Sequence, residues 1–310
     1  MKIVVLDGAA LNPGDMSWSQ LEQFGMLTVY ERTPKELVSQ RIADADIITT
    51  NKVNITKEII DSCPHLKLIC CLATGYNVVD TAHARSKGIP VCNVPSYSTA
   101  AVAQFTFGLL LELCHRIGHH DRAVHAGKWA SCPNFCFWDT PQIELAGMTM
   151  GIVGYGKIGK AVANIARAMG MNVIAYSRSH QDVTLNELLA QSDIVSLHCP
   201  LFPETQGLIN AATIKIMKDG AILLNTARGA IIDEAAVAEA LACGKLGGAA
   251  MDVVSEEPID PVNPLLTAPN CIITPHMAWA PAKTRQRILD VTEESIRSWL
   301  EGKPVNVVNP

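Results

Sequence analysis

Long apolar runs are missing from this chain: none of its 310 residues' hydrophobic stretches approaches the roughly 20 residues of a membrane-spanning helix. The opening residues 1–7 are too short and turn polar too early for a secretory leader. Charge of one sign is also scarce. Charged residues make up 18% of the chain, the formal net charge is −5, and no run of like charge builds a basic face for nucleic acid or an anionic membrane. The expectation is a cytoplasmic protein whose partner is a small molecule. The ten cysteines form no CxxC pair. Cys70, Cys71, Cys92 and Cys271 fall in apolar strand-like runs where a thiol serves as a small hydrophobe, and reduced thiols fit the cytosol. His115, His119, His120, His125, Cys132 and Cys136 lie close in sequence. A Gly-Lys-Trp segment parts the histidines from the cysteines, so the group reads as a polar helix exit and loop, and no metal is expected.

What is present is a hydrophobic content of 48% and enough length for about two domains. Residues 149–153 read as a buried strand. Gly154-x-Gly156-x-x-Gly159 then opens a segment with apolar residues at Ile158, Val162, Ile165 and Met169, one face of a helix, and a second strand follows at 172–176. In such a turn Gly154 permits the reversal, Gly156 lets a pyrophosphate approach the backbone, and Gly159 lets helix and strand pack closely. N–H groups at the helix start face the anion. A dinucleotide is therefore expected on Gly154, Tyr155, Gly156, Lys157, Ile158 and Gly159.

Before the turn, strand-like segments at 2–6, 27–30, 46–49, 68–72 and 90–93 alternate with helix-like ones at 35–42, 57–62 and 78–87, with loop residues at 8–17 and 93–98. The alternation predicts a parallel sheet covered by helices on both faces. Residues 100–117 form an apolar helix capped by Ser98 or Thr99 and stopped by Gly118, predicted to be buried between domains or subunits. A loop-rich segment spans 127–147. After the turn, strands at 172–176, 194–198, 221–225, 248–253 and 271–274 alternate with helices at 185–191, 211–217 and 234–243, completing a six-stranded dinucleotide-binding domain. A last amphipathic helix at 282–300 is expected to cross back onto the first domain.

Three clusters follow predicted strands of the second half, where ligands bind in open α/β sheets. They are Asn225-Thr226-Ala227-Arg228-Gly229, Asp252-Val-Val-Ser-Glu-Glu257-Pro258 and Thr274-Pro275-His276-Met277-Ala278-Trp279. Moving a hydride between a nicotinamide and a 2-oxo carbon needs an acid for the developing alkoxide, a task suited to histidine and here to His276. A carboxylate at Glu257 would hold the imidazole in orientation. Arg228 offers a planar, permanently charged fork that clamps a substrate carboxylate and polarises the carbonyl.

With Thr74-Gly75-Tyr76-Asn77, the helix containing Gln104, Phe137-Trp138, the glycine turn and His198-Cys199-Pro200-Leu201, these clusters resemble the D-isomer-specific 2-hydroxyacid dehydrogenases over nearly the whole chain. The branch they resemble is that of glycerate dehydrogenase/hydroxypyruvate reductase. The resemblance implies an α/β protein of two doubly wound parallel-sheet domains: a Rossmann-type cofactor domain at 99–280 and a flavodoxin-like substrate domain at 1–98 and 281–310. It also implies an active cleft between domains that close on the substrate, and a homodimer. The implied reaction is reversible reduction of hydroxypyruvate or glyoxylate to the D-2-hydroxy acid, with Arg228, Glu257 and His276 catalytic. Implied cofactor contacts include Cys199, Pro200, Thr205, Thr226, Ala227, Asp252 and Ala278. Backbone N–H groups at Thr74 and Gly75 would bind the substrate carboxylate. Trp279 would wall off the C3 side of a small substrate, with packing between domains as its other reading.

Cofactor choice departs from the common pattern. The acidic residue expected about 20 residues beyond the turn, which bonds the ribose 2′-OH of NAD, is replaced by Ser177 and Arg178. A hydroxyl and a guanidinium accept a 2′-phosphate, which favours NADP over NAD; Asp182 nearby keeps NAD open. A reading from a different class is a nucleotide-sensing, corepressor-like binding protein on the same fold. The lack of a charged or low-complexity tail argues against it. Formate dehydrogenase, of the same superfamily, is disfavoured because His276 is matched with Glu257 where that branch has a His/Gln pairing.

Overall fold

A computed structural model describes residues 1–310, apart from the side chain of Gln181. The chain divides into two compact units, Met1–Ser98 with Ala280–Pro310, and Thr99–Trp279. The first unit begins with β1 (Lys2–Val5), α1 (Gly8–Leu11), α2 (Ser19–Glu22), β2 (Met26–Val29) and α3 (Val38–Ile42). It continues with β3 (Ile47–Thr50), α4 (Lys57–Asp61), β4 (Leu68–Cys71), α5 (Thr81–Ser86) and β5 (Val91–Cys92). The five strands pair in parallel in the order β2-β1-β3-β4-β5, the flavodoxin-like winding, and Cys92 of β5 also bridges Val307 antiparallel.

The inner strands show why the sheet is parallel. Every residue of β3 and β4 is buried, as both faces are covered, whereas the edge strand β2 is largely exposed. Burial pushes the Cys71 thiol up to about 12 and that of Cys92 to about 11, so both stay protonated and pack as hydrophobes. Asp80 accepts the His83 N–H and caps α5, which shortens the helix expected at 78–87. Residues 8–17, expected as loop, contain the short helix α1, and α2 is a further turn that the apolar spacing did not announce.

The second unit runs α6 (Thr99–His115), α7 (Ile117–His125), β6 (Thr149–Val153), α8 (Lys157–Ala168), β7 (Asn172–Ser177), β8 (His180–Gln181) and α9 (Leu185–Gln191). It ends with β9 (Ile194–Leu197), α10 (Ala211–Ile216), β10 (Ala221–Asn225), α11 (Glu234–Ala242), β11 (Leu246–Met251) and β12 (Cys271–Ile273). The sheet order is β12-β11-β10-β9-β6-β7-β8, so the winding reverses between β6 and β9. Six strands are parallel, as expected. The seventh, β8, is a correction: it turns back antiparallel to β7, pairing Ser177 with His180.

One expectation for the long apolar helix is also corrected. The break falls at Arg116, which adopts a left-handed conformation (φ 48°, ψ 46°), and α6 and α7 bend by 56° there. Gly118, the expected stop, lies inside α7 and donates its N–H to the Glu112 carboxylate. The apolar surface of α6 is buried within its own unit: Ala103, Phe107, Leu110 and Leu113 join Met150 and Ile152 of β6 and Val162 and Ala166 of α8 in one core. A helix apolar almost all round needs cover on most sides, and β10, β11 and α8 supply it. Among the described residues, no single helix is long and apolar enough to cross a membrane.

The chain then returns to the first unit as α12 (Ala282–Leu300). Arg285, Ile288, Leu289, Thr292 and Ile296 form its buried stripe, packed on α2 and β4. Arg285 is held in a two-pronged ion pair with Asp15, at 2.7 and 2.6 Å.

Candidate active site

The glycine turn shows three different constraints at its three positions. Gly154 has φ +100°, and a Cβ there would lie 2.4 Å from the Cys199 nitrogen, so the turn rides directly on the chain leaving β9. A Cβ at Gly159 would lie 2.1 Å from the Gly154 carbonyl oxygen, which makes it the contact between α8 and the turn. At Gly156 nothing lies within 4 Å. Gly156 is also the N-cap of α8 and brings no side-chain acceptor to the helix N–H groups. Open space in front of a helix start not capped from its own sequence fits a dinucleotide pyrophosphate. Tyr155 stacks on His180 at 4.4 Å between ring centres.

Beyond β7, Ser177 Oγ donates to the His180 carbonyl at 3.3 Å, and Arg178 Nη2 reaches Glu204 Oε2 at 3.0 Å. Asp182 accepts the Ala175 N–H at 2.9 Å and pairs with His180 at 3.0 Å, so its carboxylate closes the β7–β8 hairpin. After β9, Thr205 donates to the Pro200 carbonyl at 2.8 Å. His198 Nε2 lies 2.8 Å from Ser196 Oγ, and burial pushes its imidazole down to about 4. Burial likewise raises the Cys199 thiol to about 11.

Arg228, Glu257 and His276 lie on loops that follow β10, β11 and β12, three adjacent strands of one parallel edge. Buried Asn225, at the end of β10, folds the first loop: its Oδ1 accepts the Ala227 N–H at 3.0 Å and its Nδ2 donates to the Arg228 carbonyl at 2.9 Å. The Arg228 side chain is exposed, with Nη1 on the Ala227 carbonyl at 2.6 Å. Thr226 Oγ1 meets Thr106 Oγ1 of α6 at 3.2 Å. A Cβ at Gly229 would sit 1.9 Å from the Val254 carbonyl carbon, so the first loop abuts the second backbone to backbone. Glu234 braces that second loop, accepting the Ser255 N–H at 2.7 Å and Asn263 Nδ2 at 2.8 Å.

The third loop is organised by Asp252, only 1% exposed. Its carboxylate accepts Thr274 Oγ1 at 2.6 Å and the N–H groups of Met277 and Ala278 at 2.9 Å each, while its carbonyl accepts the His276 N–H at 2.8 Å. These bonds hold His276 in a left-handed conformation, φ 51°. The imidazole Nδ1 then lies 2.8 Å from Glu257 Oε2, with both side chains partly open to solvent. A proton on Nδ1 directed at that carboxylate leaves Nε2 to exchange one with a ligand.

Glu234 and Thr106 were not singled out by the sequence, and Asn225 was named only as the first residue of its cluster. Glu234 is an acidic residue in the first turn of α11, and nothing in its spacing announces the loop it braces. In the first unit, Thr74 and Gly75 follow β4, where the Thr74 hydroxyl donates to the Val94 carbonyl at 2.8 Å and Asn93 Nδ2 to the Thr74 carbonyl at 2.7 Å. Trp279 is half-buried three residues beyond His276. Among the described residues no three His, Cys, Asp or Glu side chains converge on a metal position. His119 pairs with Asp139 at 2.9 Å, and His120 Nδ1 contacts the Arg116 carbonyl at 2.9 Å.

Residues 107–278 match the family model described as D-isomer specific 2-hydroxyacid dehydrogenase, NAD binding domain. The chain is 53% identical to a hydroxypyruvate reductase of Blautia hydrogenotrophica, over 100% of both chains. It is 40% identical to a glycerate dehydrogenase of Methylorubrum extorquens, over 99% of this chain and 98% of that one. Among solved structures, an acyclic imino acid reductase (Bsp5) in complex with NADPH and D-Arg superposes with a TM-score of 0.84 at 31% identity, covering 99% of this chain and 100% of that one.

A methyl group at Gly159 is expected to cost about 1–3 kcal/mol of unfolding free energy. Gly156→Ala should stay within about 0.5 kcal/mol of the parent yet weaken dinucleotide binding, measured by fluorescence titration; undiminished binding would show that the pyrophosphate lies elsewhere. A second expectation concerns pH. Since folding disfavours the protonated His198, the unfolded chain takes up that proton first. Stability is then full above about pH 6.5 and declines as the pH falls towards about 4. Denaturant titrations across that range should show a shallower decline in His198→Gln; an unchanged slope refutes the assignment.

Proposed function

Because the chain belongs to the D-isomer specific 2-hydroxyacid dehydrogenase family, we propose that Arg228, Glu257 and His276 carry its chemistry on a small 2-oxo acid. The protein is an NAD(P)-dependent oxidoreductase of the glycerate dehydrogenase/hydroxypyruvate reductase type, reducing 2-oxo acids to 2-hydroxy acids. The relatives carry enzyme names, which favours this over nucleotide sensing. The observation that carries the residue assignment is the 2.8 Å contact between His276 Nδ1 and Glu257 Oε2, on a loop fixed by buried Asp252.

A reduced nicotinamide, when bound, supplies the hydride that the carbonyl carbon receives. His276 delivers a proton from Nε2 to the carbonyl oxygen, so that the C=O π bond gives way to a C–H and an O–H bond and the C–O single bond remains. Glu257 holds the ring by its Nδ1–H and offsets the charge the imidazole carries before transfer. The Arg228 guanidinium binds the substrate carboxylate and draws electron density from the carbonyl. Backbone N–H groups of Thr74 and Gly75 are assigned to the same carboxylate, and Trp279 to the C3 side of hydroxypyruvate or glyoxylate.

The cofactor is assigned to Gly154, Tyr155, Gly156, Lys157, Ile158 and Gly159, to Ser177 and Arg178, to Cys199, Pro200 and Thr205, and to Thr226, Ala227, Asp252 and Ala278. The assignment takes residues 99–280 as the cofactor domain, with 1–98 and 281–310 for substrate. Ser177 and Arg178 favour NADP over NAD, and the engagement of Asp182 with Ala175 and His180 strengthens that preference. The assignment also includes a homodimer in the cytoplasm. Ile117 and Val124 of α7 and Trp129, Phe135 and Trp138 of the segment after it are exposed large apolar side chains, and they support self-association.

With hydroxypyruvate, NADPH oxidation is expected to exceed NADH oxidation at equal concentration. His276→Ala should lower kcat by about 10²–10⁴-fold, and Arg228→Ala should lower kcat while raising KM for the 2-oxo acid. Parent-like turnover in His276→Ala would refute the assignment. Light scattering should return twice the chain mass; a monomer would refute self-association through α7.

A further inference from the structure

The strand expected to end in an acidic residue ends instead in Tyr176 and Ser177, with Arg178 next in the turn. Past β9, the chain folds back on itself. Thr205 Oγ1 accepts the Phe202 N–H at 2.8 Å and donates to the Pro200 carbonyl at 2.8 Å, and the Gln206 N–H reaches the Phe202 carbonyl at 3.0 Å. This turn is shaped by its own bonds, and it presents Phe202 and Glu204 to Arg178. The Arg178 guanidinium carbon lies 4.8 Å from the centre of the Phe202 ring, and Nη2 lies 3.0 Å from Glu204 Oε2. Since β6 lies between β7 and β9 in the sheet, the pair joins the segments on either side of the strand that leads into the glycine turn. Both side chains remain open to ligand, 71% and 68% exposed.

We propose that Glu204 is a specificity-determining residue for the cofactor: its carboxylate supplies the 2′-OH acceptor that the end of β7 lacks, and competes with a 2′-phosphate for Arg178. This rests on the reading of Ser177 and Arg178 as the adenosine-ribose end of the site. A ribose 2′-OH is a donor, and the Glu204 carboxylate accepts from it while remaining paired with Arg178. A 2′-phosphate is anionic at neutral pH. Arg178 attracts it, Glu204 repels it, and binding exchanges one anionic partner of the guanidinium for another. An exposed ion pair is weak enough to open for this exchange. Arg178 thus selects for the phosphate and Glu204 for its absence.

The test is the dissociation constants of NADH and NADPH, by fluorescence titration, in the parent, Glu204→Gln and Arg178→Ala. Glu204→Gln keeps the shape of an exposed side chain and removes its charge. It should weaken NADH and tighten NADPH, moving their ratio about tenfold towards NADPH, with Tm unchanged. Arg178→Ala should weaken NADPH by about tenfold or more and leave NADH unchanged or tighter. A ratio in Glu204→Gln within about twofold of the parent, or moved towards NADH, overturns the role of Glu204. If Arg178→Ala still weakens NADPH selectively, the phosphate reading survives that failure. An equal loss for both cofactors in Arg178→Ala removes the reading itself.

Discussion

The buried carboxylate of Asp252 is the constraint on which the sheet edge carrying His276 depends. A carboxylate only 1% exposed is tolerated where its oxygens are hydrogen-bonded, and Thr274, Met277 and Ala278 all bond this one. Those donors lie on either side of His276, so satisfying the carboxylate fixes the loop. The left-handed backbone of His276 is unusual for a residue with a side chain, and it persists because the flanking bonds determine it. Glu257 completes the arrangement from the loop after β11, where Glu234 holds both Ser255 and Asn263. His276, the proposed proton donor, is thus placed by groups that do not themselves exchange the proton.

The same logic extends along the sheet edge. Parallel strands deliver all their following loops to one side, and each loop here is fastened by a polar side chain: Asn225 folds the loop after β10, Glu234 braces the loop after β11, Asp252 holds the loop after β12, and Thr205 closes the turn beyond β9. Glycine appears where backbones must touch. Gly229 permits the approach to Val254 and Gly154 the approach to Cys199, distances at which a Cβ would collide. Gly156 differs, since its missing side chain leaves open space. Rigid fastening on one side and room on the other is what a preorganised binding edge requires.

Much of this architecture was legible in the sequence. Helices 185–191 and 282–300 and strand 221–225 are found with the predicted bounds, because each follows a local apolar pattern and the two helices begin at a local cap or proline. The break in the long apolar helix was not legible. Glycine at 118 looked like the stop, yet Arg116 takes the left-handed turn, and its guanidinium bonds Asn270, a residue 154 positions away. The two-residue strand β8 was likewise invisible, being held by the Asp182 bond to Ala175 and not by any hydrophobic pattern.

The sequence by itself determined the two parallel sheets, the glycine turn and the identities of the residues that follow each strand, because these follow from short-range periodicity and from the steric freedom of particular residue types. Only the tertiary structure decided that Glu257 meets His276, that Asp252 spends its carboxylate on the neighbouring loop, and that Arg178 faces Glu204. Those contacts join segments 19 to 26 residues apart. No local propensity encodes them; they exist because strand order brings the ends of separate strands to one edge, where buried polar groups must find partners.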